Sequence, residues 1–164
     1  MIIDTHAHIY SSDEQNYPPI SDPYKPPGGT GDTSHLRDEM TKAGVDRAVL
    51  IQTSTFYRWD NRYLRDTAAR SADWATGVCT LDPDNPQSPD ILYALYDRSN
   101  VKGMRSIQSA DGSYDGPGVR RLWKEASELG IVVNSLIPLE VSDQLETLLH
   151  DFPNLSVVLD HCLS

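Results

Sequence analysis

The sequence predicts an α/β chain of (β/α)8-barrel type, cut short after about six βα units. Three observations predict it. Short apolar runs alternate strictly with helical patterns along the 164 residues. The runs are rich in β-branched residues, as strands buried on both faces are. The first strand-to-helix connection, residues 10–33, is long and holds five prolines and three glycines. Strict alternation makes a parallel sheet with right-handed crossovers. An open nucleotide-binding sheet would place a glycine-rich turn after its first strand, whereas long function-bearing loops at that point are a barrel habit. The chain is therefore read as one domain, residues 1–164, with a long first loop. Tyr17 and Tyr24 within that loop favour an ordered flap over a disordered insertion.

The elements follow in order. Residues 2–9 (IIDTHAHI) form the first strand. Thr33 or Ser34 caps a helix carrying Leu36, Met40 and Ala43, and Gly44 stops it. Residues 47–53 (RAVLIQT) are the second strand, after which Asn61 caps a helix with Leu64 and Ala68 one turn apart. Residues 76–81 (TGVCTL) are the third strand, and Pro89 opens a helix with Leu92, Leu95 and Tyr96. Residues 101–107 (VKGMRSI) are the fourth, followed by a helix with Leu122, Ala126 and Leu129 that stops at Gly130. Residues 131–137 (IVVNSLI) are the fifth; Ser142 caps a helix with Leu145, Leu148 and Leu149 that ends before Pro153. Residues 156–162 (SVVLDHC) are the sixth. A complete barrel takes roughly 250 residues, so two further strands and their helices are expected beyond this sequence. If the 164-residue chain folds alone, strands one and six are exposed sheet edges inviting self-association, which makes a homo-oligomer possible.

Composition excludes several function classes. Fourteen Lys and Arg stand against 24 Asp and Glu, a formal net charge of -10, which disfavours nucleic acid and anionic membranes as partners. No run is apolar for long enough to span a membrane, and the N-terminus lacks a signal-peptide pattern. Cys79 and Cys162 sit in apolar runs without a disulfide framework, which points to buried thiols in a reducing, cytoplasmic compartment.

Alternation along the first strand puts Asp4, His6 and His8 on one side, with His8 nearest the C-terminal rim. Two imidazoles at i and i+2 can grip one divalent metal, which polarises a carbonyl or acidifies a bound water. The competing reading is two buried histidines bonded to neighbouring backbone. His161 closes the sixth run at its C-terminal end, where barrel enzymes place catalytic groups; by alternation it shares a face with Val157 and Leu159, and Asp160 points away. Arg105 stands at the fourth strand's exit. It suits either a substrate carboxylate or an ion pair with Asp4 or with an aspartate outside this sequence. Ser54 and Tyr57, after the second strand, can hydrogen-bond a substrate, and Trp59 can wall its pocket. Asp60 and Asn61 are read as helix caps, and His35 and His150 as surface residues. Ser135 lacks a nucleophile-elbow pattern, so a serine hydrolase is not proposed.

Taken together, IIDTHAHIY, GVDRAVLIQTSTFYRWDNRYL, GVCTLDP, VKGMRSI and FPNLSVVLDHCLS resemble, in order, the amidohydrolase-related family of the amidohydrolase superfamily. That group includes 2-pyrone-4,6-dicarboxylate lactonase and aminocarboxymuconate-semialdehyde-type decarboxylases. The resemblance implies a TIM barrel with His6, His8 and His161 in the active site and Arg105 at a carboxylate-holding position. It implies hydrolysis, or else decarboxylation, of a small carboxylated cyclic acid, with zinc or manganese held at His6 and His8 or with no tightly held metal. Metal-dependent members carry a further histidine near the fifth strand end, where this sequence reads Asn134-Ser135-Leu136; that departure leans toward the lactonase-like branch. The family's last-strand aspartate, a general base or metal ligand, is not in this sequence, so the 164-residue chain alone is expected to be catalytically incomplete. The remaining reading is a non-catalytic barrel remnant that binds or assembles.

Overall fold

The structure, a computed structural model, describes residues 1–162. It contains six parallel strands, hydrogen-bonded in chain order, with helices between them. This is the expected α/β alternation. The residues fall into two compact units, the first Met1–Thr80 with Ser99–Val101, the second Leu81–Arg98 with the residues from Lys102 onward.

In the first unit β1 (Ile3–Ala7), β2 (Arg47–Ile51) and β3 (Ala75–Thr80) pair in parallel. Between them lie α1 (Thr33–Ala43), the single turn α2 (Ser54–Tyr57) and α3 (Arg62–Arg70). The N-cap of α1 is Asp32, not Thr33 or Ser34. Its carboxylate accepts from the His35 amide at 2.8 Å, while the Thr33 hydroxyl pairs with the Tyr63 hydroxyl. Gly44 ends α1 at φ 69°. Gly77 is closely packed: a Cβ there would lie 3.2 Å from Val101, 3.3 Å from Ala68 and 3.4 Å from Leu64. Ala68, Leu50 and Cys79 are fully buried in this layer.

In the second unit β4 (Val101–Ser106), β5 (Val132–Ser135) and β6 (Val157–Leu159) pair in parallel. α4 (Ser88–Arg98), α5 (Pro117–Leu129) and α6 (Ser142–Asp151) complete it. Gly130 ends α5, as expected, and Pro117 opens its first turn. A 3-10 turn, Leu139–Val141, runs directly into α6, so Val141 takes the N-cap position and Ser142 falls inside the helix. Trp123, Tyr114, Leu92 and Val133 fill the core.

The outer strands are barer than strands covered on both faces: Ile3 is 43% exposed, Val158 48% and Leu159 44%. The sixth strand is also shorter than the sequence suggests. It ends at Leu159, and Asp160–Cys162 turns as a 3-10 segment with His161 at φ 53°. Cys79 is a buried free thiol; the burial expected of Cys162 lies outside the described side chains. Among the described residues no helix is long and apolar enough to cross a membrane.

Candidate active site

His8, Ser54, Arg105 and His161 sit at or just past the C-terminal ends of β1, β2, β4 and β6. In the first unit, register decides which of them share a face. Asp4 pairs with Ala48 and Ala7 with Leu50, so β1 carries one residue more than β2 between these points. Such a bulge re-aims side chains. Strict alternation is therefore not kept between Asp4 and Ala7, and the Asp4 carboxylate accepts from the His6 amide at 3.0 Å.

The two imidazoles stand edge to face with centroids 5.0 Å apart. His8 Nδ1 lies 2.9 Å from the Ile51 carbonyl oxygen. A carbonyl only accepts, so in the neutral imidazole Nδ1 carries the proton. This tautomer suits a metal ligand whose other nitrogen is held by backbone, or a general base. Among the described residues no group of three or more His, Cys, Asp or Glu forms a ligand cluster.

Past β2, the Tyr57 hydroxyl accepts from the Ser11 amide at 2.7 Å. Burial pushes its pKa up to about 12, against the lowering effect of the Ser11 bond, so it is a neutral phenol at any physiological pH. The bond also ties the long loop down. The amides of Ile20 and Tyr24 donate to the carbonyls of Phe56 and Thr55 at 2.9 and 3.1 Å, and the Tyr10 amide to that of Gly31 at 2.8 Å. These bonds fold the loop against the segment after β2. Tyr17 donates to Asp66 and packs on Tyr63, and Tyr10 packs on Phe56, whereas Tyr24 is 66% exposed. Ser54 is half-buried at the start of α2, and Trp59 is half-buried under the Arg58 guanidinium.

Asn61 does more than precede a helix. Its Nδ2 donates to the Thr80 carbonyl at 2.9 Å and its Oδ1 accepts from the Thr80 amide at 3.1 Å. The carboxamide thus continues the ladder of β3 where β2 has ended. No spacing rule in the sequence announces such a pin. Asp60 instead holds the Arg62 guanidinium and amide. His150 is exposed, as read from sequence, while His35 is half-buried with Nδ1 facing the Gly31 amide at 3.4 Å.

In the second unit Arg105 and Asn134 pair across β4 and β5 and share a face. Arg105 Nε donates to Asp160 Oδ2 at 2.9 Å, and Asn134 Nδ2 donates to Asp160 Oδ1 at 3.2 Å. Arginine and aspartate are each 4% exposed. Arg105 thus has Asp160 as its ion-pair partner, and not Asp4. Burial lowers the Arg105 pKa and the adjoining carboxylate counters it. Asp160 turns inward to this pair. His161, next in the chain, is exposed and left-handed, so it no longer follows the strand alternation with Leu159. Beneath, the Tyr114 hydroxyl meets Ser135 Oγ at 2.6 Å and Trp123 Nε1 donates to Ser106 Oγ at 2.9 Å. Ser135 is thus part of a buried structural network.

An amidohydrolase family model matches residues 3–162. The chain belongs to this amidohydrolase family. No curated protein matches it. Among solved structures, a probable 2-pyrone-4,6-dicarboxylic acid hydrolase from Acinetobacter baumannii, with citric acid bound, superposes with a TM-score of 0.78 at 20% identity, over 99% of this chain and 58% of its own. A 2-pyrone-4,6-dicarboxylic acid hydrolase assigned in Pseudomonas putida gives 0.75 at 23%, over 97% and 56%. A 5-carboxyvanillate decarboxylase from Sphingomonas paucimobilis gives 0.73 at 18%, over 98% and 67%. These likenesses concern the fold. The chain spans under three-fifths of the length of the first two structures (58% and 56%).

Proposed function

We propose that the amidohydrolase to which this chain belongs hydrolyses a small, carboxylated cyclic substrate of lactone or amide type. The observation that carries the proposal is the fixed tautomer of His8, whose Nδ1 is held by the Ile51 carbonyl at a strand end. A histidine so held presents one lone pair in one direction, as ligand chemistry and proton transfer both require. The names of the neighbours, dicarboxylic acid hydrolases and a decarboxylase, support an acidic ring as the substrate class.

In this reading His6 and His8 orient the scissile carbonyl, and they would be the residues that hold zinc or manganese. When bound, such an ion would polarise the carbonyl and acidify a water. His161 stabilises the developing oxyanion. Arg105 meets a substrate carboxylate, and Ser54 and Tyr57 hydrogen-bond the ring substituents. Tyr57 does so as a donor, because its phenol stays protonated.

The test is turnover by the whole protein of 2-pyrone-4,6-dicarboxylate, followed as loss of pyrone absorbance, beside CO2 release from 5-carboxyvanillate, with metal content measured on the same sample. Pyrone hydrolysis that His8→Ala abolishes supports the proposal. CO2 release without hydrolysis, dependent on stoichiometric metal, replaces it with the decarboxylase. Binding of either acid without turnover points to a non-catalytic barrel.

A further inference from the structure

Arg58 stands in a backbone conformation that arginine rarely adopts. It follows α2 with φ 50° and ψ -106°. Among the described residues only Arg58 and His161 have a positive φ without being glycine. Conformations of this kind persist where surrounding structure enforces them, and they cluster at ligand-contacting sites. The backbone here is enforced: the Tyr57 amide donates to the Thr53 carbonyl at 2.9 Å and the Arg58 amide to that of Ser54 at 3.0 Å, while the Tyr57 hydroxyl anchors Ser11. None of these bonds needs an arginine side chain. Glycine would meet the same geometry at no steric cost.

The side chain is exposed and its Cζ lies 5.5 Å from the Trp59 ring centroid. Asp60, the carboxylate nearest in sequence, is occupied by Arg62 through bonds of 2.9 and 2.6 Å. Arg65, further along the same segment, is paired with Asp66. Arg58 is thus an exposed guanidinium whose Cζ lies over the Trp59 indole, just past α2. A stacked guanidinium matches a carboxylate with two parallel hydrogen bonds. In a chain of net charge -10, an anionic ligand approaches against the overall field, so a local cation at the strand ends has a defined task.

From this we infer that Arg58 is a carboxylate-binding, specificity-determining residue of the substrate site; the inference rests on the carboxylated substrate class proposed above. A solvated surface arginine is the competing account, and glycine separates the two. The experiment compares wild type, Arg58→Gly and Arg58→Lys by melting temperature without ligand and by calorimetric titration with citrate. The expected result is a melting temperature raised in Arg58→Gly, because the strain is relieved. The same variant binds citrate about tenfold more weakly, the loss of one charge-assisted contact, and Arg58→Lys falls between. Equal citrate affinity in wild type and Arg58→Gly overturns the role of Arg58 alone. A lower melting temperature in Arg58→Gly overturns it in favour of a structural residue. A wild-type protein that binds no citrate overturns it together with the carboxylated substrate class.

Discussion

Replacing Asp160 by Leu strands a guanidinium inside the second unit. The Arg105 and Asp160 side chains are 5% and 3% exposed and meet at 2.9 Å. Arginine cannot shed its charge at ordinary pH, so the single variant keeps a buried cation without its counter-ion. Breaking such a pair from one side costs about 3–5 kcal/mol. With a urea m-value of about 2 kcal/mol/M, the midpoint falls by about 2 M. Arg105→Met leaves the carboxylate behind and costs a similar amount. The double variant Arg105→Met/Asp160→Leu removes both charges and their desolvation penalty together, which often restores stability. Asn134 Nδ2, which donates to Asp160 Oδ1, loses that acceptor, at about 1–2 kcal/mol. The double variant is therefore expected about 1–2 kcal/mol below wild type, far less than the sum of the singles. Urea unfolding followed by circular dichroism on all four proteins closes the cycle. Additive losses would refute the reasoning, because they would mean that the two side chains do not stabilise each other.

Three further outcomes follow from other parts of the structure. Tyr57→Phe removes the acceptor of the Ser11 amide; it should cost about 1–2 kcal/mol and speed hydrogen exchange at Ser11 while leaving β1 protected. Gly31→Ala adds a Cβ that would lie 2.8 Å from the Tyr10 ring, at φ 81°. It should loosen the flap by about 1–3 kcal/mol, read as faster proteolysis within residues 10–33. On the alkaline side, burial raises the Cys79 thiol from 9.0 to about 12 and the Tyr57 phenol from 10.0 to about 12. The unfolded chain releases these protons first, so stability is complete below about pH 9 and falls as pH rises toward 12. Cys79→Ala should flatten the first part of that decline in melting curves taken from pH 8 to 11.

The alternation of strands and helices was legible because burial on both faces of a parallel strand imposes an apolar run. Helix ends were legible where a unique conformation was needed, as at Gly44 and Gly130, which are left-handed. What could not be read depends on contacts distant in sequence. The extra residue in β1 became visible only from its register with β2, and it breaks the alternation assumed for Asp4, His6 and His8. Asp160 was assigned outward by extending a strand that in fact ends at Leu159. Its partner Arg105 lies 55 positions away, beyond any local pattern. Arg58 had no signal at all, since a positive φ is read from glycine and this position holds arginine.

The Arg105–Asp160 pair also narrows how Arg105 can serve a substrate. A guanidinium binds a carboxylate in two planar ways, side-on through Nε and one Nη, or end-on through both Nη atoms. Nε is committed to Asp160 Oδ2 at 2.9 Å, and Asn134 steadies the other carboxylate oxygen. That Nε is thereby taken from side-on recognition, and Asp160 fixes the plane in which Arg105 would meet a substrate carboxylate. Asn134 then holds, through Asp160, the angle of approach. Asn134→Ala should accordingly raise KM for a carboxylated substrate more than it lowers kcat, and Asn134→Asp, which sets a second carboxylate against Asp160, should raise KM further. An Asn134→Ala enzyme with unchanged KM and a reduced kcat would place Arg105 outside ground-state binding and return the buried pair to a purely structural role.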